Sequence, residues 1–203
     1  LSLRWDKYFA SFDQILNFKW AWSGEQSQET YLGLADEDFV QSAFQRYRAS
    51  SLDQMDWNHR QVLISYGISP AEHLRIKTRA YHHGFDRRWF KVNGFYDNGI
   101  DSMPDIGDVL NQPSLSSYNY FYQVLKGEAN SGVLTNNQDV LELGNNQRRY
   151  LSQGVVLEVR VSPLEDHSFR LSHRYHQDQV QRFHEAHFKN MVNGLLENHG
   201  SLG

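Results

Sequence analysis

Ser69-Pro70-Ala71-Glu72-His73-Leu74-Arg75-Ile76-Lys77-Thr78-Arg79-Ala80-Tyr81-His82-His83-Gly84 is the stretch on which the fold class turns. A serine at the N-cap, a proline at the first helical position and a glutamate reaching back predict a helix from Pro70 to about His83, stopped by Gly84. Upstream, Ser51 and Gln54 have capping-box spacing and open a helix through Met55, Val62, Leu63 and Tyr66 to Gly67. Before that, Asp36, Glu37 and Asp38 complement the dipole of a helix striped by Phe39, Val40, Ala43, Phe44 and Tyr47. At the start, Trp5, Tyr8, Phe9, Phe12, Ile15 and Leu16 recur at steps of three and four, the spacing of one helical face.

Downstream the period changes. Asn93-Gly94 between Trp89–Val92 and Phe95–Tyr96 has the form of a tight hairpin. Residues 97–113 carry loop signals, with a short helix near Val109, and residues 115–125 fit helix or strand. Gly132–Thr135 and Val140–Leu143 are strand candidates on either side of Asn136-Asn137. Val155, Leu157, Val159 and Val161 alternate with Val156, Glu158 and Arg160; after a turn at Pro163–Ser168, Phe169, Leu171, His173 and Tyr175 form the paired face. A closing helix over about Asp178–Asn198 stripes Val180, Phe183, His187, Met191 and Leu195. The predicted class is α+β in a single domain, 1–203: N-terminal helices (1–84), a mixed region (85–131), then an antiparallel sheet with a closing C-terminal helix (132–203).

Composition bounds the chemistry. The 203 residues contain no cysteine, which excludes disulfide scaffolds, thiol catalysis and thiolate zinc sites. Aromatic residues make up 14%, too many for a disordered chain, and the formal charge of -4 confines any nucleic-acid binding to a local patch. No run approaches the ~18 apolar residues of a membrane-spanning helix. The expectation is therefore a soluble, cytoplasmic protein with no membrane partner and no cofactor.

The window 73–91 supplies such a patch: Arg75, Lys77, Arg79, Arg87, Arg88 and Lys91, with Asp86 the one acid. Arg79, Tyr81, Arg87, Arg88, Trp89 and Tyr96 are the candidate ligand-binding residues, a mixture suited to anions and stacked rings. Within it, His83 is a candidate general base with Asp86 as its orienting carboxylate, the pairing that acyl transfer or hydrolysis would use. Residues 57–81 also have the form of a helix-turn-helix, with Gly67 in the turn, which would read DNA through Pro70–Tyr81. No metal is expected; His184 and His187, three apart on the closing helix, are the nearest approach to a ligand pair.

Gly154-Val-Val-Leu-Glu-Val-Arg-Val, Phe169-Arg-Leu-Ser-His-Arg-Tyr-His and the segment from Val180 through His187-Phe188 to Asn198 together resemble the terminal strand, strand, helix unit of nonribosomal peptide synthetase condensation domains. The resemblance implies an accessory lobe of a larger biosynthetic assembly, without condensation activity, because the family's His-His-x-x-x-Asp-Gly is absent. The leading functional expectation is thus a docking or ligand-binding domain whose aromatic surface meets a protein partner or a bulky small molecule. Catalysis by His83 and Asp86 is the second expectation, and DNA binding the third.

Overall fold

The computed structural model describes residues 1–8, 13–96, 103–132, 140–164 and 166–199. Strand accounts for 64% and helix for 13%, so the fold is dominated by one antiparallel sheet. Its strands are β1 (Ser2–Tyr8), β2 (Asp13–Ser27), β3 (Gln54–Ala71), β4 (Leu74–Phe95), β5 (Leu141–Leu164), β6 (His167–Val192) and β7 (Leu195–Asn198), hydrogen-bonded in sequence order. Three short helices, α1 (Asp36–Gln41), α2 (Ile106–Asn111) and α3 (Asn119–Lys126), lie in the connections after β2 and β4.

This corrects the α+β expectation. The Trp5–Leu16 stripe is divided between β1 and β2, the helix expected over 51–66 is β3, and Pro70–His83 spans the end of β3, a two-residue turn at Glu72-His73 and the first part of β4. Ser69 and Pro70 continue β3 in extended conformation into the turn that follows, because Ser-Pro leads into a turn as readily as into a helix. The closing helix over 178–198 is also absent: β6 continues to Val192, and Asn193-Gly194, with φ of 50° and 78°, turns the chain into β7. Both residues stand in the left-handed region that a two-residue hairpin turn demands. Asn93-Gly94 instead continues β4 in extended conformation. Gly132 is a turn residue; 133–135 and Asn136-Asn137, like 97–102, lie outside the described residues. The expected hairpin of Val155–Val161 with Phe169–His176 is present within β5 and β6, and the short helix near Val109 is α2.

The chain divides into two compact units. One consists of Leu1–Glu25, Trp57–Arg87 and Arg148–Arg182; the other of Gln26–Asp56, Arg88–Gln147 and Phe183–Gly203. Every buried hydrophobic side chain among the described residues belongs to the second, here the core unit. There Val109, Val124, Leu125, Leu141, Leu143 and Met191 are sealed from solvent. α3 presents Tyr122, Val124 and Leu125 to this core and ends at Gly127, whose φ of 83° makes it the left-handed C-cap.

Two carboxylates organise the polar side of the core unit. Asp53 accepts from the Thr30 hydroxyl (2.6 Å) and from the Val92 backbone N–H (2.9 Å), tying the connection after β2 to β4. Asp38 accepts from the hydroxyls of Tyr47 (2.5 Å) and Tyr122, and the Tyr47 oxygen in turn accepts from the Ala35 N–H (2.9 Å). Both carboxylates, and the Tyr47 and Tyr122 hydroxyls, thereby have partners, as burial requires.

Candidate functional site

The first unit, the sheet unit, contains segments of six strands, and among its described residues only Ser65 and Gly154 are buried. Side chains alternate across a strand, so the contacts sort them into two faces. Trp5 opposes Leu16 and Leu3 opposes Phe18. Arg60 and Arg149 both bind Asp86, and Gln153 reaches both His82 and Gln177, which joins the even positions of β3 and β4 to the odd positions of β5 and β6. On the other side, Trp57 lies 6.0 Å from Phe85, Phe85 lies 6.0 Å from Tyr150, and Tyr81 lies 5.9 Å from His176.

The first of these faces is uncovered and rich in apolar side chains, which share it on β5 and β6 with the neutral Gln153, His173, Gln177, Gln179 and Gln181. Trp5, Trp20, Trp22, Tyr66, Phe169 and Tyr175 on it are between 36% and 64% exposed. At roughly 150–250 Å² per aromatic side chain, these six half-exposed residues alone present on the order of 600 Å². Leu3, Leu16, Ile64, Val155, Leu157 and Leu171 add to it. A water-facing monomer rarely carries a contiguous apolar patch beyond about 300–600 Å².

Charge is excluded from the same face. Its positions on β3 from Val62 to Pro70, on β4 from Leu74 to His82, on β5 from Leu151 to Pro163 and on β6 from His167 to Gln181 hold no Asp, Glu, Lys or Arg. The neighbouring positions on the opposite face hold Arg75, Lys77, Arg79, Glu158, Arg160, Arg170, Arg174 and Asp178. The apolar face carries charge at Lys7, near the β1–β2 connection, and at the cluster Arg60, Asp86 and Arg149. Here Asp86 receives Arg149 Nε at 2.6 Å and Arg60 Nη2 at 2.8 Å. Burial pushes the Asp86 carboxyl up, but these two guanidinium hydrogen bonds outweigh it and hold the group below the usual carboxylate range.

The polar face carries a connected row of rings. Arg174 donates to the Tyr81 hydroxyl oxygen (2.9 Å), that hydroxyl meets His176 Nδ1 (2.5 Å), and His176 Nε2 meets Asp178 (2.8 Å). His83 stands against Tyr81 and His59; burial, then the neighbouring His59 and His82, push its pKa down, which leaves a neutral ring at pH 7. Gly154 makes room for this row: a Cβ there would stand 2.5 Å from the Tyr175 carbonyl oxygen and 2.6 Å from the Tyr81 hydroxyl. Gly154→Ala is expected to cost about 1–3 kcal/mol by overpacking between β5 and β6. The check is denaturant unfolding followed through Trp57 fluorescence, and an unchanged midpoint would show that the strands part freely.

The expected site residues separate on this framework. His83 belongs to the polar face and Asp86 to the apolar face, so the carboxylate cannot orient that imidazole; parity along β4 parts them. Arg79, Tyr81 and Arg87 share the polar face of β4. Arg88, Trp89 and Tyr96 belong to the core unit, where Arg88 pairs with Asp56 (2.6 Å), Trp89 packs on Tyr31 (4.3 Å) and Tyr96 packs on Phe188 (4.6 Å). His184 and His187, three apart on a strand, project to opposite faces and cannot share a metal. The helix-turn-helix expected over 57–81 is a strand hairpin. The terminal helix of the condensation-domain resemblance is likewise strand. Tyr150 and the joining of Asp86 to Arg60 and Arg149 carry no local sequence signal; period-2 parity along β3, β4 and β5 is what brings them together.

No protein-family model matches the chain, and neither a curated protein nor a solved structure is significantly similar to it. No helix among the described residues is long and apolar enough to cross a membrane.

Proposed function

We propose that the sheet unit is a section of the wall of a transmembrane β-barrel, its apolar face against lipid acyl chains and its polar face toward an aqueous interior that polar solutes enter. The observation that carries this is an exposed face from which every formal charge is excluded over nine residues on β3 (62–70) and on β4 (74–82) and over thirteen on β5 (151–163). A tilted strand crosses the hydrocarbon layer in about 9–11 residues. The spacing of the strands also alternates in the manner of such barrels: four residues separate β1 from β2 and two separate β3 from β4 and β5 from β6, whereas the long segments 28–53 and 96–140 separate β2 from β3 and β4 from β5. Trp20 lies beside Val62 and His82, where the apolar face becomes polar, the level at which aromatic side chains gather at a bilayer surface. Hydrogen bonds between neighbouring strands satisfy the backbone inside hydrocarbon, and further strands would close the edges. On this reading the partner of the docking surface expected from the aromatic content is lipid rather than a protein.

Depth-dependent tryptophan quenching tests this. The full chain is reconstituted into phosphatidylcholine vesicles with brominated acyl chains, in variants that each retain one tryptophan. Trp5, in the apolar band, is expected to be strongly quenched, and Trp57, on the polar face, to be protected. Equal protection of both, or a chain that stays monodisperse in water without detergent, would refute the assignment.

A further inference from the structure

Among the described residues, the Arg60–Asp86–Arg149 cluster is the sheet unit's one concentration of charge on the apolar face, and it borders a cavity of about 640 Å³. Trp20, Val62 and Leu151 form the apolar part of the cavity wall, while Gln179 and Gln181 supply amides. Both arginine side chains remain more than half exposed, at 60% and 57%, while Asp86 is largely covered. The carboxylate accepts from Nη2 of Arg60 and Nε of Arg149. The remaining guanidinium donors are available, and the cluster carries a formal excess of one positive charge. Arginine's planar fork matches the oxygens of a phosphate, and a carboxylate that holds two such forks pre-orients them.

We infer that this cluster binds the phosphate group of an anionic membrane lipid, with the lipid's acyl chains running along the adjoining apolar band. A free anion would engage the arginines but leave Trp20, Val62 and Leu151 in water; a lipid covers both halves of the cavity. The site presupposes the membrane-facing sheet proposed above.

The test uses the full chain in phosphatidylcholine vesicles, with brominated phosphatidic acid or brominated phosphatidylcholine as the titrated quencher of Trp20 or Trp5. Brominated phosphatidic acid is expected to quench Trp20 at about a tenfold lower mole fraction than brominated phosphatidylcholine, the factor expected of one charge-assisted contact. Arg60→Gln combined with Arg149→Gln removes that preference while Trp5 stays quenched, which shows the variant still inserted. No preference in the unaltered chain, with Trp5 quenched by both lipids, overturns the phosphate site and leaves the membrane assignment standing. Trp5 protected from both lipids overturns the membrane assignment itself. Loss of the preference in millimolar inorganic phosphate overturns the lipid assignment in favour of a free-anion site.

Discussion

Leu157→Arg is expected to destabilise the chain in a phospholipid bilayer by about 2–4 kcal/mol, while Val156→Arg, one residue earlier on the same strand, changes little. Leu157 stands near the middle of the uncharged stretch of β5 on the apolar face and is 41% exposed. Its neighbours across the strands are apolar or neutral, so an arginine there would have to draw water and headgroups toward the bilayer interior. Val156 shares the polar face with Glu158 and Arg160, where another guanidinium stays hydrated. A sheet with water on both faces makes the opposite forecast, because surface substitutions without special contacts fall within about 0.5 kcal/mol of neutral. Equilibrium unfolding of both variants in vesicles, against the unaltered chain, separates the two cases. Equal and small effects would remove lipid from the apolar face.

The asymmetry between the two faces was present in the sequence but masked by how it is written along the chain. Val155, Leu157, Val159 and Val161 alternate with Glu158 and Arg160 clearly enough to read as a strand, and their hairpin partner follows after Pro163. β1 and β2 place Trp5 and Leu16 on one face but Tyr8 and Ile15 on the other. With apolar residues on both faces, the spacing passes through steps of three and four and imitates a helical stripe. β3 has the same ambiguity, with Val62, Ile64 and Tyr66 opposite Trp57 and Leu63. Such strands give a much weaker signal per segment than an apolar helix does, because alternating polar residues leave no long apolar run. The pairing of His83 with Asp86 relied on the chain turning out of a helix at Gly84; Gly84 instead continues β4 as extended backbone, and three positions along a strand put the two side chains on opposite faces. The basic window at 73–91 was legible as composition, but whether its charges act together depended on parity, which sends Arg79 and Arg87 to one face and Arg88 to the other.

In the core unit, Asp38→Ala is expected to cost about 3–5 kcal/mol, since it deprives two buried tyrosine hydroxyls of a charged acceptor. Tyr47 and Tyr122 both donate to Asp38 Oδ2, and their rings meet edge to face at 6.0 Å, so neither hydroxyl can turn to a new partner without disturbing the other. Asp38→Asn keeps an oxygen in place but loses the charge, and the smaller penalty, about 1–2 kcal/mol, measures that charge. The carboxylate also gives the unit a defined response to acid. Burial pushes the Asp38 pKa up, but the hydrogen bonds from Tyr122 and Tyr47 and the nearby Lys126 ammonium prevail and leave it lowered. A folded-state pKa below the unfolded one means that the stabilisation is complete above the ordinary carboxylate range and is lost as pH falls through the folded value. The tyrosines act at the other end of the scale. Burial, reinforced by the Asp38 carboxylate, pushes the Tyr47 hydroxyl up to about 12. The unfolded chain then ionises first, and stability declines as pH rises from about 10 toward about 12. Trp89 is the core unit's one tryptophan, so its fluorescence in a variant lacking the other four follows this unit. Unfolding midpoints recorded against pH should fall at both extremes, and Asp38→Ala should flatten the acid limb. An acid limb unchanged by the substitution would place the controlling carboxylate elsewhere, with Asp56, held below the usual carboxylate range by the Arg88 guanidinium, as the next group to replace.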